Sequence, residues 1–171
     1  MMKEPRVWGN KVYATKVIVT TLAAITLASA ASPASRPSPS AKSAAAATPI
    51  ATVDAFHAAL GSGEPRKALD FLQEDVLIFE SGGVERSRAE YASHHLAADA
   101  AYSAAVRRTL VRRSHGQAEN AAWVTSVETV AGAYRGRTIN SRSVETMLLA
   151  RTAGTWRISH IHWSSQDLAA K

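Results

Sequence analysis

The residues best suited to chemistry lie near the end of the chain. His160 and His162 are two positions apart in a segment rich in β-branched and aromatic residues. Because strand side chains alternate between the faces of a sheet, both imidazoles should point to the same side. A carboxylate such as Glu145 beside them would favour the protonated imidazole that proton transfer requires. We therefore predict His160, His162 and Glu145 as a catalytic acid–base set, with a purely structural His–Glu pair as the alternative.

A hairpin predicted at the end of the chain brings the carboxylate to these histidines. A four-residue turn at residues 152–155 places Met147 opposite His160. The same register places Glu145 opposite His162. A slip of one residue would move every side chain of the strand to the opposite face, so the predicted site depends on this register.

The preceding hairpin adds polar residues to the same face. Arg135 and Gly136 predict a tight two-residue turn. This register places Ser126 beside Glu145, with Glu128 two positions along. Ionisable groups among aliphatic side chains are typical of a pocket lining. The predicted lining is Val124, Ser126, Glu128, Glu145, Met147, Leu149, Ile158, His160 and His162.

The opposite face of these strands is more uniformly apolar and predicts an interface between two copies of the chain. None of its predicted members is charged, so the face would suit sheet-to-sheet packing in a homodimer. Its predicted members are Trp123, Thr125, Val127, Val144, Thr146, Leu148, Ile161 and Trp163.

The predicted helices contribute further ligand-binding residues. His57 lies between Val53 and Leu60 on the apolar side of the first helix. Tyr91 and His95 share a face of a later helix at i, i+4 spacing. A histidine on such a face is also common as a core residue, so both interpretations stay open. The predicted ligand-binding set is His57, Tyr91, His95, Ser126, Glu128 and Met147.

The His-x-His pattern is also compatible with a periplasmic copper or zinc site. Two imidazoles on one strand face, near Glu128, Glu145 or Met147, would suit either metal. The chain has no cysteine, which excludes disulfides, a thiol nucleophile and thiolate zinc ligands. Because the pattern fixes no third ligand, we predict neither a metal nor another cofactor.

Helices come first in the predicted order of elements, and strands come last. Thr48 and Pro49 mark a helix start, and residues 87–90 have the pattern of a capping box. Two helices, a short strand and a third helix precede an antiparallel meander. This order predicts an α+β fold with the helices on one face of the sheet.

The first part of the chain differs in composition from the rest. Residues 1–30 combine a basic start, an apolar run and a small-residue cleavage pattern, and they predict a signal peptide. Residues 31–48 are rich in Ala, Ser and Pro and predict a disordered linker. We expect a folded domain at residues 49–166, a tail at 167–171, and a periplasmic or secreted protein. After cleavage no stable membrane anchor is expected; an uncleaved tether is the alternative.

The charge of the chain argues against nucleic-acid binding. The net charge is +6, but from residue 50 onward 14 basic and 13 acidic residues leave only +1. A nucleic-acid interface needs a basic face on the folded part. Arg107, Arg108, Arg112 and Arg113 come nearest to one, without interleaved aromatic residues.

The element order, the Gly-Gly-x-Glu segment at residues 82–85 and the ending TWRISHIHWS at 155–164 resemble the nuclear transport factor 2-like superfamily. Ketosteroid isomerases and polyketide cyclases, including SnoaL-like proteins, share this fold. The resemblance covers roughly residues 49–165. It implies a cone-shaped, barrel-like curved antiparallel sheet, about three helices on its concave face, and a deep pocket between them, often in a dimer.

This superfamily hosts several functions, so the resemblance leaves the function open. The first hypothesis is a domain that binds a small, largely apolar molecule. The alternative is an isomerase, lyase or hydrolase that uses His160 or His162 with Glu145. Neither Asp54 nor Asp75 matches a catalytic motif of the isomerases or cyclases.

Overall fold

The computed structural model describes residues 48–169. Within this range the chain forms three α-helices, one 3₁₀ helix and six strands, in the predicted general order. They are α1 (Pro49–Gly61), the 3₁₀ helix (Pro65–Phe71), β1 (Leu72–Glu80), β2 (Gly83–Glu85), α2 (Arg88–His94), α3 (Leu96–Ala105), β3 (Val106–Gln117), β4 (Ala121–Tyr134), β5 (Arg137–Thr152) and β6 (Thr155–Asp167).

The six strands form one curved sheet in the order β2-β1-β6-β5-β4-β3. All neighbours are antiparallel except β1 and β6, which run parallel. The helices cover one face of the sheet, and the core lies between the two layers. The predicted α+β class with a curved, mostly antiparallel sheet is confirmed. The parallel pair is a departure from a simple meander, and the chain between its two strands includes two helices and four strands.

The first helix begins as its sequence predicts. The Thr48 hydroxyl accepts a hydrogen bond from the Ala51 amide at 3.2 Å, and Pro49 occupies the first turn. Val53 and Phe56 are fully buried on the side that faces the sheet. These contacts set which way His57 points, because it follows Phe56 by about 100° around the helix.

The predicted third helix is two helices joined at His95. Ser87 caps α2 by accepting a hydrogen bond from the Glu90 amide at 3.0 Å, as the capping-box pattern predicts. His95 closes α2 with its amide on the Tyr91 carbonyl and begins α3. The change of direction brings Asp99 of α3 back to the Tyr91 side chain of α2.

Both predicted hairpins form, but the second turn has two residues where four are predicted, because Thr152 pairs with Thr155. Arg135 and Gly136 have φ angles of 49° and 74°, and Ala153 and Gly154 have 50° and 79°. Left-handed φ at both central residues is typical of the two-residue turns that match the twist of paired strands. Tyr134 therefore pairs with Arg137. The predicted pairing of Ser126 with Glu145 is confirmed in the same way, and Glu128 pairs with Ser143 and Arg151 with Trp156.

The register of β6 changes at Ser159, which the turn alone did not predict. Ile158 pairs with Leu149, and His160, two residues later, pairs with the adjacent residue of β5, Leu148. Ser159 is therefore an extra residue in a bulge. From this point Glu145 pairs with Trp163. The predicted pairings of Met147 with His160 and of Glu145 with His162 are wrong, because the bulge exchanges the faces of the residues after it.

Gly132 in β4 allows the start of β3 to approach closely. A Cβ at this position would lie 2.6 Å from the Ala105 carbonyl oxygen and 3.0 Å from the Val106 Cα. Both atoms belong to backbone, so a side chain here would push the end of α3 away from the sheet. The close approach therefore holds the end of α3 against the sheet.

None of the helices within residues 48–169 has the length and apolar character needed to cross a membrane. The predicted signal peptide and nearly all of the predicted linker lie outside the described residues.

Candidate functional site

A cavity of about 400 Å³ opens between the helices and the inner face of the sheet. Its walls combine apolar side chains such as Leu60 and Trp163 with several serines and ionisable groups. A second cavity of about 150 Å³ adjoins it and shares Glu80 and Asp99. The larger volume is in the range of small-molecule sites.

A buried carboxylate, Glu145, lies beneath the larger cavity. It is 1% exposed, and its Oε2 accepts a hydrogen bond from the Trp163 indole at 2.7 Å. The His57 Nε2 lies 2.8 Å from the same oxygen, without the alignment of a hydrogen bond. This contact connects α1 with the centre of the sheet.

Arg108 connects this carboxylate with a second one. Its Nε donates to the Glu128 Oε2 at 2.6 Å, and its Nη2 lies 4.0 Å from the Glu145 Oε2. Glu128 is also buried. Buried carboxylates are costly unless paired, so Arg108 compensates two such charges while its side chain still reaches the cavity wall.

Glu145 stays ionised in this setting. Burial alone would raise its pKa, but contact with His57, the charge of a protonated His57, the Trp163 hydrogen bond and the nearby Arg108 act in the opposite direction. Together they lower the pKa of Glu145 below its usual value. A fixed carboxylate therefore lies behind the His57, Arg108 and Trp163 side chains of the cavity wall.

Two other carboxyl groups on the wall behave differently. The fully buried Tyr91 donates its hydroxyl to the Asp99 Oδ2 at 2.9 Å. Burial raises the pKa of Asp99; the Tyr91 hydrogen bond and the His95 charge oppose this, and the Glu85 charge adds to it. Burial and hydrogen bonding to a carboxylate also raise the pKa of Tyr91, which keeps its phenol neutral.

Glu80 lies close enough to Asp99 for their charges to repel each other. Partial burial and then the Asp99 charge raise the pKa of Glu80, against the opposing charges of His95 and Arg108. Glu80 is nevertheless solvent-exposed, and water weakens such effects. Asp99, which is less exposed, is therefore the stronger example of a carboxyl group whose proton binding the fold has altered.

The family model of the SnoaL-like domain matches residues 50–167. The chain belongs to the SnoaL-like domain family. The membership predicted from the element order and the chain ending is confirmed. No curated protein matches the sequence of this SnoaL-like chain.

Solved structures agree with this assignment. A provisionally assigned ketosteroid isomerase from Shewanella frigidimarina is 39% identical, covers 66% of this chain and 91% of its own, and has a TM-score of 0.64. A provisionally assigned calcium/calmodulin-dependent protein kinase II association domain from Xanthomonas campestris is 20% identical (70% and 86% covered, TM-score 0.58). A nuclear transport factor 2-like protein from Novosphingobium aromaticivorans is 17% identical (70% and 80% covered, TM-score 0.56). The last two support the fold alone.

The structure separates the three residues predicted as a catalytic set. Glu145 lies on the inner face of the SnoaL-like sheet, whereas His160 and His162 lie on the outer face. The His160 Nδ1 is 2.8 Å from the Leu77 carbonyl oxygen, and both imidazoles contact the edge of the Phe79 ring. The prediction that the three share one pocket face is wrong. A copper or zinc site that joins both histidines to Glu128, Glu145 or Met147 fails for the same reason.

The predicted ligand-binding residues divide into three groups. His57 lines the larger cavity, while Tyr91 and His95 line the smaller one. Glu128 reaches the site through its bond to Arg108. The remaining two, Ser126 and Met147, are buried in the core: Ser126 accepts a hydrogen bond from the Arg113 Nε at 3.2 Å, and Met147 belongs to the hydrophobic cluster.

Sequence reasoning missed four residues that define the site: Glu80, Asp99, Arg108 and Trp163. Glu80 ends a predicted strand just before a glycine turn, which is a common position for functional side chains. Asp99 follows Tyr91 by eight residues, a spacing that places both on one side of a continuous helix. Trp163 was assigned to the outer face because the bulge was not foreseen.

We expect Glu145→Gln to lower the free energy of unfolding at pH 7 by about 1.5–3 kcal/mol, the scale of hydrogen bonds to buried charged groups. The substitution keeps the shape but removes the charge that faces His57 and Arg108. Because the folded pKa of Glu145 is lowered, its stabilising effect is present above about pH 4.3 and is lost as the pH falls further. Urea unfolding between pH 3 and pH 7 measures the difference.

The control for this measurement is Glu119→Gln, which changes an exposed glutamate in the β3–β4 connection. It should leave the stability within about 0.5 kcal/mol of the unchanged protein. Equal stability of Glu145→Gln and Glu119→Gln at pH 7 would contradict the role given to the buried carboxylate.

Proposed function

We propose that the larger cavity binds a small molecule with an apolar body and a carbonyl or hydroxyl group. We further propose that the domain catalyses, without a cofactor, the transfer of a proton from one atom of this molecule to another. The observation that carries this proposal is the pair Asp99 and Glu80 on one cavity wall, with raised pKa values. Carboxyl groups altered in this way are typical of sites that exchange protons near neutral pH.

Asp99 and Glu80 have different neighbours, and from these neighbours we infer which group is the base and which is the acid. Asp99 accepts the Tyr91 hydrogen bond, which favours its ionised form, so Asp99 acts as the base that removes a proton beside the carbonyl. Glu80 has no hydrogen-bonding partner of this kind and is repelled by Asp99. It therefore keeps its proton longer and donates it, or a hydrogen bond, to the carbonyl oxygen.

The Shewanella relative indicates which reaction to test first. Its assignment as a ketosteroid isomerase supports a reaction in which a β,γ-unsaturated ketone becomes conjugated. A base removes the α-proton, and the same proton or another returns at the γ-carbon. Both steps need only a base, an acid and a water-poor cavity, which matches the groups on this wall.

We expect the chain to convert a β,γ-unsaturated cyclic ketone into its conjugated isomer. The ultraviolet absorbance of the conjugated product measures this conversion. Asp99→Asn should lower kcat/KM by about 10²–10⁴-fold, the usual contribution of a general base. Glu80→Gln should also lower it. Asp75→Asn, an exposed carboxylate in β1, is the matched control and should retain full activity.

Ligand binding is measured on the same variants by native mass spectrometry and NMR titration. Turnover that survives Asp99→Asn unchanged would contradict the assigned base. Binding of the ketone without turnover by the unchanged protein would instead support the second candidate, a binding domain with no catalysis. The mixture of serine, tyrosine and apolar side chains in the cavity favours that candidate.

We propose that two copies of the chain pack through the outer face of the sheet. Trp123 pairs with Leu148 across β4 and β5, and Val127 pairs with Val144. Trp123 is 43% exposed, and Val144 and Leu148 are exposed to a similar extent. All helices described within residues 48–169 lie on the other face, and a two-fold axis would let this apolar strip cover itself.

We expect Trp123→Asp to raise the dimer dissociation constant at least tenfold, because burial of a large apolar side chain contributes about 1.5–3 kcal/mol. Sedimentation equilibrium across a concentration series measures the change. Ala118→Asp adds the same charge in the exposed β3–β4 connection and should have no effect. The predicted interface role of Trp163 is abandoned, because this side chain bonds Glu145 inside the fold. A Trp123→Asp dimer as tight as the original would contradict the proposal.

We also propose that the protein is periplasmic or secreted. The basic, apolar and small-residue segments of residues 1–30 support export and cleavage. N-terminal sequencing of the exported chain should begin near Ala31. A mature protein that begins at Met1 would contradict cleavage.

A further inference from the structure

We propose that Glu85, Glu90 and His94 form a binding site for a zinc ion at the junction of β2 and α2. One oxygen or nitrogen atom from each of the three lies within 4.8 Å of the others. Glu90 and His94 are neighbours on α2 at i, i+4 spacing, and Glu85 is the last residue of β2. The site therefore joins a strand to a helix and lies outside the larger cavity.

The first observation that supports the zinc site is a buried oxygen of Glu85 that accepts no hydrogen bond. Glu85 is 6% exposed, and its Oε2 accepts no hydrogen bond. A buried carboxylate oxygen without a donor is costly, which indicates that a cationic partner belongs there. The nearest such group is His94, whose Nδ1 lies 3.5 Å away.

This 3.5 Å separation is too long for a hydrogen bond. It agrees with the distance between two ligands of one zinc ion: atoms about 2.0–2.1 Å from a metal, at a tetrahedral angle, lie roughly 3.3 Å apart. The imidazole and the carboxylate are thus spaced to bind an ion between them, not to bind each other.

The surrounding groups orient the ligands. The His95 Nδ1 contacts the other Glu85 oxygen, Oε1, and so leaves Oε2 directed toward His94. The Glu90 Oε2 accepts a hydrogen bond from the Arg86 amide at 2.6 Å, which leaves its Oε1 for the ion. Hydrogen bonds of this kind hold metal ligands in place in known sites.

The ligand set selects the type of ion. One imidazole nitrogen and two carboxylates suit zinc better than magnesium or calcium, which prefer oxygen ligands alone. Two carboxylates also balance the double positive charge. The His94 side chain is 59% exposed, so solvent can supply the fourth ligand and the ion can enter.

The test uses the full chain, stripped with a chelator and titrated with zinc chloride by isothermal calorimetry. We expect one zinc per chain and a melting temperature that rises with zinc concentration. Cobalt(II) substitution should give a visible absorption band that reports the ligand set. His94→Ala should weaken zinc binding at least tenfold and change the cobalt band, and Glu85→Gln should do the same.

The controls separate this site from the other histidines. His115→Ala and His162→Ala remove exposed imidazoles outside the cluster and should leave zinc binding unchanged. His94 is exposed, so its variant should fold, which circular dichroism verifies. Absence of stoichiometric binding at micromolar zinc would overturn the proposal. So would binding that survives His94→Ala but is lost in His162→Ala.

Discussion

The structure depends on one buried carboxylate and on the groups that compensate it. Glu145 of β5 is held by His57 from α1, Trp163 from β6 and Arg108 from β3. A charge this deeply buried is tolerated only when its partners are in place. Glu145 and its three partners come from four different elements. The helix layer therefore cannot separate from the sheet without leaving this carboxylate unpaired. The buried carboxylate behind the cavity wall therefore also links the helices to the sheet.

The same cavity holds carboxyl groups in opposite electrostatic settings. Glu145 has cationic and hydrogen-bonding partners that lower its pKa despite burial, whereas burial raises the pKa values of Asp99 and Glu80, and the Asp99 charge adds to the shift at Glu80. Environment, not residue type, decides which carboxyl group keeps a charge and which exchanges a proton. Arg108 acts on carboxyl groups of both kinds. It pairs with the buried Glu128, and its charge weakly opposes the rise in the pKa of Glu80. This difference supports the proposed proton transfer at Asp99 and Glu80, while Glu145 keeps its charge.

Much of the fold could be predicted, but the composition of the site could not. The turns at residues 135–136 and 153–154 gave the correct register where they start, because a two-residue turn fixes the first pair of each hairpin. The bulge at Ser159 then cancelled that register for the end of β6. A signal was present: apolar residues change from even positions, Trp156 and Ile158, to odd ones, Ile161 and Trp163. Such a change of parity marks an extra residue when one sheet face stays buried.

The sequence by itself determined the features that act over a few residues. These include the capped start of α1, the capping box of α2, the two tight turns and the ending shared with the SnoaL-like family. Only the tertiary structure decided which side chains meet. Asp99 and Glu80 come from different elements. His160 lies on the outer face because of one extra residue, Ser159, in the bulge of β6. Helix capping and turn chemistry are local, whereas burial, charge pairing and the pairing of distant strands depend on segments far apart in the chain.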